Sequence, residues 1–147
     1  MEKENIQVDF TLKGIKTEQF AIFEENYSPQ KEAGLDAELQ FRLDQKNKHI
    51  GVFLGLDFIQ GKNIFLKIQV SCHFIIDEKS WTIFIQDNKK LVIPKGLLEH
   101  LAVITIGATR GIVFAKTEGT QFSQFLVPTL NVTEMLKEDA SFDLLVE

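Results

Sequence analysis

Apolar and polar residues alternate with a period of two along four stretches in the first half of the chain. The clearest stretch runs from Leu35 to Leu43, where every second residue is apolar and the residues between them are Asp, Glu, Gln and Arg. This alternation is typical of a half-buried β-strand, because successive side chains point to opposite faces of a sheet. Three further strands are predicted, with apolar rows at Ile6–Leu12, Ile50–Phe58 and Ile64–Ile76.

The apolar rows also predict how the second and third strands pair. Residues that face each other in an antiparallel hairpin lie on the same side of the sheet, so a slip of one residue would turn an apolar row outward. Matching Leu43 with Ile50 aligns the two rows and leaves a polar turn at residues 45–48. We therefore expect a hairpin with this register.

A second hairpin is predicted by the same test. Matching Phe58 with Leu66 leaves a three-residue turn at 61–63, and hairpins commonly use that length with a glycine. The same register places Asp57 opposite Lys67, an opposite-charge pair that the apolar argument did not assume. The first half of the chain is therefore expected to form an antiparallel β-meander.

The other face of this sheet carries a few apolar residues among polar ones. The predicted register places Phe65 opposite Ile59, with Phe53 and Ile75 on the same face. Either a second layer or another subunit covers these side chains, or they form an exposed binding patch. Coverage is the favoured interpretation, because exposed apolar patches are uncommon on monomers.

The segment from Pro94 to Lys116 has two interpretations. As a helix, it has an apolar stripe at three- and four-residue steps, and Gly107, Gly111 and Ala115 form a line of small residues that would let a neighbour approach closely. As a strand, it has a β-branched run at 103–106, and its two glycines would each cost about 1 kcal/mol inside a helix. The residue pattern leaves both open.

Two shorter segments carry local signals. Residues 81–85 fit either a short strand or one helical turn. Asn131 followed by Glu134 resembles a capping box, which predicts a C-terminal helix that extends to about Asp139.

The order of these features resembles that of the bacterial export chaperone SecB and its SecB-like relatives. Four antiparallel strands precede a proline-started apolar segment with an Arg-Gly pair, then a loop, a proline and a short helix. The resemblance covers Ile64–Leu136 by motif and the earlier strands by layout. The matching positions are Pro94, Leu97, Leu98, Leu101, Arg110, Gly111, Pro128 and Asn131.

The resemblance implies an α+β fold, in which a long helix at Pro94–Lys116 and a short C-terminal helix pack on a four-stranded meander. It also implies a non-enzymatic protein that holds non-native or partner polypeptide through apolar surface and a sheet edge, without nucleotide or metal. Relatives include dedicated chaperones for antitoxins, and family members assemble as dimers of dimers. We therefore expect a homo-oligomer, a dimer or a tetramer. The alternative is a structural or regulatory module with the same fold that binds one folded partner and has no chaperone activity.

Thirteen phenylalanines against one Trp and one Tyr favour a deep core or a dry contact surface, because Phe has no polar group. The candidates for polypeptide binding or subunit contact are apolar residues outside the clear core rows or in the Phe-rich loop: Phe20, Phe23, Phe53, Ile59, Phe65, Ile75, Phe122 and Phe125. The candidates for close helix packing are Gly107, Gly111 and Ala115.

Composition narrows the class of protein. A length of 147 residues fits a single domain spanning residues 1–147. The net charge of -5 and the scattered lysines argue against nucleic-acid binding. One cysteine excludes an intrachain disulfide and favours a reducing compartment. The N-terminus lacks an apolar signal region, and we expect no segment apolar enough to enter a membrane, so the predicted location is the cytoplasm.

No residue pair predicts catalysis. Cys72 and His73 are adjacent on a strand and point to opposite faces, so Cys72 is interpreted as an inert buried thiol and His73 as a solvated side chain. His49 lies at a predicted turn, and the three histidines lack metal-ligand spacing. The sequence therefore predicts no enzyme activity, no metal and no cofactor, and leaves the role of Arg110 open between an ion pair and a helix cap.

Overall fold

The computed structural model describes residues 7–145, so Ile6 of the first predicted strand lies outside the described residues. The main sheet is antiparallel with the strand order β1-β4-β3-β2. Its strands are β1 (Phe10–Ile22), β2 (Gly34–Asp44), β3 (His49–Gln60) and β4 (Asn63–Ile76). The predicted α+β class with a four-stranded antiparallel sheet is confirmed. Strands β2 to β4 form the meander, whereas β1 lies beside β4 at the far edge.

The connection between β1 and β2 explains this order. It passes across the end of the sheet, where the buried amide of Gln60 holds it. The Gln60 side chain donates hydrogen bonds to the carbonyls of Ser28 and Lys31 and accepts one from the Ser28 N–H. Gln60 is the last residue of β3, so these hydrogen bonds hold the connection beside the end of β3. The chain then enters β2 next to β3 and not next to β1.

The predicted registers are confirmed over most of their length. Leu43 pairs with Ile50 across the turn at 45–48, and Phe58 pairs with Leu66. The ammonium group of Lys67 lies 3.1 Å from the Asp57 carboxylate.

The β3–β4 hairpin differs from the prediction at its tip. A register shift after Phe58 pairs Ile59 with Ile64, so the predicted pairing of Phe65 with Ile59 is wrong. Gln60 pairs with Asn63, which shortens the turn to two residues, with Gly61 at a φ of 61°. Phe65 is fully buried in the cluster between the sheet and the helix after it. A bulge leaves one residue unpaired, which interrupts the alternation of faces.

The segment that the residue pattern left open between helix and strand is helical. The helices are α1 (Glu78–Ile83), α2 (Lys95–Thr117) and α3 (Val132–Met135). In α2 the buried hydroxyls of Thr105, Thr109 and Thr117 donate to the carbonyls four residues earlier, so the β-branched residues bury no unpaired polar group. Burial against the sheet therefore outweighs the strand propensity of this segment.

The C-terminal helix is shorter than predicted. Asn131 caps it as expected, because its side chain accepts a hydrogen bond of 3.2 Å from the Glu134 N–H. The helix ends at Met135, and the chain returns as a strand in a second sheet that the residue pattern did not predict. This sheet contains β5 (Ile85–Gln86), β6 (Lys90–Ile93) and β7 (Ala140–Asp143) in the order β5-β6-β7.

Helix α2 packs on one face of the main sheet, which we call the inner face, and completes the core there. The opposite face is the outer face. The buried residues form two clusters, one of them around Phe65 and Phe122 and the other around Trp81 and Phe84. By length and a mean hydropathy of 1.5, α2 also meets the criterion for a membrane span, so the expectation that no segment does is wrong. The core helix of a soluble protein meets the same criterion, because its apolar side chains pack inside the core.

Candidate functional site

An apolar groove runs beside the edge strand β2. Its open cavity has a volume of about 220 Å³. Half-buried Leu35 of β2 and half-buried Phe125 lie on its two sides, and Leu126 is 59% exposed. We call this cavity the β2 groove, and its lining residues are Ala33, Gly34, Leu35, Phe58, Gln124, Phe125, Leu126 and Pro128. The half-buried Leu39 and Phe41 continue the same face along β2.

Arg110 of α2 holds the far side of the groove in place. Its Nε donates a hydrogen bond of 2.9 Å to the Val127 carbonyl, and a terminal nitrogen donates one of 3.0 Å to the Pro128 carbonyl. The Val127 side chain is buried, so the loop is anchored by both its backbone and its side chain. Arg110 thus binds backbone carbonyls of the loop, which neither of the two expected roles described.

An aromatic cluster forms the floor beneath this loop. The ring of Phe65 lies 4.8 Å from that of Phe125 and 6.1 Å from that of Phe122, and Phe58 adjoins them. Tyr27 packs on the same rings, and its hydroxyl accepts a hydrogen bond from Gln124. The residue pattern did not predict this cluster, because the bulge that places Phe65 here leaves the apolar row of β4 intact.

The predicted site residues of the outer face do not form one patch. Phe53 is only 8% exposed, because the Arg42 guanidinium lies 4.2 Å above its ring and His73 packs against its edge. Ile59 and Ile75 are half-buried at opposite ends of the outer face, since Ile75 pairs with His49 at the start of β3.

Phe20 and Phe23 lie near the end of β1 and are half-buried. The Lys116 ammonium lies 5.2 Å above the Phe20 ring, which ties the end of α2 to β1. At its other end α2 contacts β1 through His100 and Phe10, whose ring centroids are 5.6 Å apart. Helix α2 therefore runs alongside β1.

A second set of exposed apolar residues lies on β1 and α2, between these two contacts along each element. On β1 two exposed side chains lie on the inner face, and on α2 small and apolar residues are in exposed positions. An added Cβ at Gly107 or Gly111 would meet nothing within 4 Å among the described residues, so no neighbour in this chain approaches these glycines closely. We call it the β1–α2 surface, and its residues are Leu12, Ile15, Val103, Gly107, Gly111, Phe114 and Ala115.

The outer face brings together four polar side chains that the sequence had separated. His49 Nε2 lies 2.9 Å from His73 Nδ1, and His73 Nε2 lies 2.9 Å from Ser71 Oγ. Ser71 Oγ donates a hydrogen bond of 2.7 Å to Glu18 Oε1. The interpretation of His73 as a solvated, isolated side chain is therefore wrong. The predicted register already set His73 opposite Gly51, two residues from His49 on the same face, and this diagonal was the available signal.

The environment shifts the ionisation of these groups. Burial lowers the pKa of His73, and the adjacent His49 lowers it further. The hydrogen bond from the Ser71 hydroxyl lowers the pKa of Glu18. On the inner face, burial raises the pKa of the Cys72 thiol, as expected for an inert cysteine. Within residues 7–145 no group of three or more His, Cys, Asp or Glu residues could hold a metal ion.

Comparison with known proteins gives similarity to solved structures alone. No protein-family model and no curated protein matches the sequence. A SecB-like chaperone of Mycobacterium tuberculosis, solved in complex with a peptide from an antitoxin, is 12% identical with a TM-score of 0.47, over 82% of this chain and 90% of that one. A protein of unknown function from Streptococcus agalactiae is 17% identical with a TM-score of 0.38, over 85% of this chain and 98% of that one. At these identities and TM-scores, neither similarity assigns a family or a function.

Proposed function

We propose that this chain is a non-enzymatic polypeptide-binding protein of the SecB-like type, which holds non-native or partner polypeptide at the β2 groove. The observation that carries the proposal is the position of the groove at an open sheet edge. Strand β2 pairs with β3 and ends the order of the main sheet, so among residues 7–145 no strand pairs with its other side. An extended polypeptide that pairs with this edge gains main-chain hydrogen bonds, and its alternate side chains reach the groove.

The geometry of β2 supports strand addition. Its pairing with β3 has no register shift from Gly34 to Asp44, so the edge is straight and regular. Leu35, Leu39 and Phe41 lie on one face of the strand and are only half-buried. An added strand would bury more of these side chains, and burial of apolar area contributes roughly 25 cal/mol per Å².

We further propose that the chain self-associates through the β1–α2 surface. Exposed apolar side chains that lie close together are typical of a protein–protein interface, and both β1 and α2 carry exposed apolar residues here. Gly107 and Gly111 would allow a second copy to approach the helix backbone closely. Light scattering at micromolar concentration tests this proposal. A dimer or tetramer is the expected result, and a monomer would contradict it.

An aggregation assay with a denatured client protein tests the binding proposal. The wild-type protein should slow aggregation without nucleotide. Leu126→Asp places a charge in the groove and should abolish this effect. Leu145→Asp is the matched control, because Leu145 is 65% exposed but lies in the C-terminal segment.

Two outcomes would contradict the binding proposal. A wild-type protein that never slows aggregation would remove the chaperone role, and binding to a single folded protein would then support an interaction module. Equal activity of Leu126→Asp and wild type would place client binding outside the β2 groove.

A further inference from the structure

The hydrogen-bond chain on the outer face has a defined direction. Ser71 uses its hydroxyl proton in the bond to Glu18, so its oxygen accepts from His73 and fixes the His73 proton on Nε2. His73 Nδ1 is then an acceptor, and the proton between the two rings belongs to His49 Nε2. Every donor points toward the Glu18 carboxylate, and the chain links β3 through β4 to β1.

Strand β1 reaches this chain through a bulge. Thr17 pairs with Val70 and Gln19 pairs with Gln69, so Glu18 is the extra residue of β1. A bulge redirects a side chain, and here the Glu18 carboxylate binds the fully buried Ser71.

A glycine makes room for the two imidazole rings. A Cβ added at Gly51 would lie 3.0 Å from the Phe53 ring and 3.5 Å from each of His49 and His73. The two histidine rings are nearly parallel, with an interplanar angle of 10° and centroids 5.1 Å apart. An alanine at position 51 would press on the Phe53 ring, which packs against His73, and would be in ordinary contact with the two histidine rings.

We propose that the chain His49–His73–Ser71–Glu18 is an acid-sensitive clamp that fastens the edge strand β1 to the sheet. A proton added to Nδ1 of His49 would leave the bond to His73 intact and make the donor a cation. A second proton must occupy His73 Nδ1, which lies 2.9 Å from the His49 N–H. Two donors and two positive charges then face each other, and the chain breaks.

Charged groups lie on both neighbouring strands. On β1, the Glu18 carboxylate raises the pKa of His73 and the Lys16 charge lowers it. On β2, the Arg42 guanidinium lies over the Phe53 ring that contacts His73, and the Asp44 carboxylate interacts with His49. Burial and the net effect of the nearby charges lower the pKa of His73 below its ordinary value of 6.5. A group whose pKa is lower in the folded state stabilises it above the unfolded pKa, and this contribution is lost as the pH falls through the folded pKa. The clamp should therefore weaken progressively as the pH falls below about 6.5.

Two measurements on the full chain test the clamp. Imidazole NMR titration should give a pKa for His73 below its ordinary value of 6.5, and the titration of His73 should be coupled to His49. Hydrogen exchange, corrected for the intrinsic pH dependence, should show loss of protection at β1 residues 15–19. The loss should approach about tenfold per pH unit between 6.5 and the lowered pKa of His73, because opening takes up one proton there, and should level off at lower pH.

Two variants separate the clamp from general acid effects. His49→Gln removes one positive charge and should raise the pKa of His73 toward 6.5, which narrows the pH range over which β1 protection is lost. His100→Phe also removes one histidine but keeps an aromatic ring against Phe10 of β1, so it should change neither measurement. The proposal is overturned if His73 titrates at its ordinary pKa of 6.5 and independently of His49. It is also overturned if β1 protection stays constant between about pH 7.5 and pH 5.0.

Discussion

The two edge strands of the main sheet differ in regularity and in what covers them. Strand β1 has two register shifts against β4, after Leu12 and after Thr17, whereas β2 pairs with β3 without a shift. Bulges interrupt the row of free backbone groups on an edge, and a regular edge leaves that row intact. The comparison suggests a division of roles, in which β2 accepts an added strand and the β1 side uses side-chain packing instead.

The support beneath the two edges also differs. The β2 groove lies above a buried aromatic cluster and beside a loop that Arg110 anchors. The β1–α2 surface has exposed Leu12 and Ile15 on the inner face. A stable floor suits repeated binding and release of a client, whereas an uncovered apolar face is costly unless a second copy covers it.

The largest effect should come from the aromatic floor. Phe122→Ala removes a side chain that is 1% exposed beneath the groove loop, and the free energy of unfolding should fall by about 3–5 kcal/mol. Phe114→Ala is the control on the β1–α2 surface, where the ring is 47% exposed, and should change it by about 0.5 kcal/mol or less in dilute monomer. Urea denaturation measures both. Equal losses would contradict the difference in support.

A pair of charge substitutions should separate the two edges. Ile15→Asp should weaken self-association by about tenfold or more and leave client affinity unchanged, because it introduces a charge on the β1–α2 surface. Leu126→Asp should do the reverse. Analytical ultracentrifugation and fluorescence anisotropy with a labelled client measure the two equilibria. If either variant changed both, one surface would serve both roles.

Removal of the loop anchor should have a smaller effect. Arg110→Met keeps an apolar stem but loses the bonds to Val127 and Pro128, so stability should fall by about 1–2 kcal/mol and hydrogen exchange should rise in residues 125–130. Client affinity should fall with it. Lys62→Met removes an exposed positive charge from the β3–β4 turn and is the control. Unchanged exchange in the loop would contradict the anchoring role.

The smallest effect concerns the glycines of α2. Gly107→Ala and Gly111→Ala should each stabilise a dilute monomer by about 1 kcal/mol, because alanine favours the helix and its Cβ meets no atom of this chain within 4 Å. The same variants should weaken self-association if a second copy approaches these positions. Thermal unfolding at low concentration and light scattering measure the two effects. A lower stability of the monomer would contradict this account.

Much of the fold followed from residue patterns. The alternation between Leu35 and Leu43 set the register with Ile50, and the same logic placed Asp57 beside Lys67. These are local consequences of a period of two, which fixes the face of every side chain once one pair is known. The apolar stripe and the proline also favoured a helix for α2, although its β-branched run left a strand open.

The groove and the polar chain required the tertiary structure. A bulge leaves the apolar row of the sequence unchanged. Neither the burial of Phe65 nor the turn of Glu18 toward Ser71 was therefore visible in the residue pattern. Arg110 finds its partners 17 and 18 residues along the chain, at carbonyls that no sequence signal marks.

The sequence by itself determined the four strands of the main sheet, their pairing from β2 to β4 and the apolar character of the helix, because these depend on periodicity along the chain. The tertiary structure decided which edge stays regular, where the aromatic floor lies and which polar groups meet. Those features depend on bulges and on contacts between distant segments, where a shift of one residue exchanges the two faces of a strand.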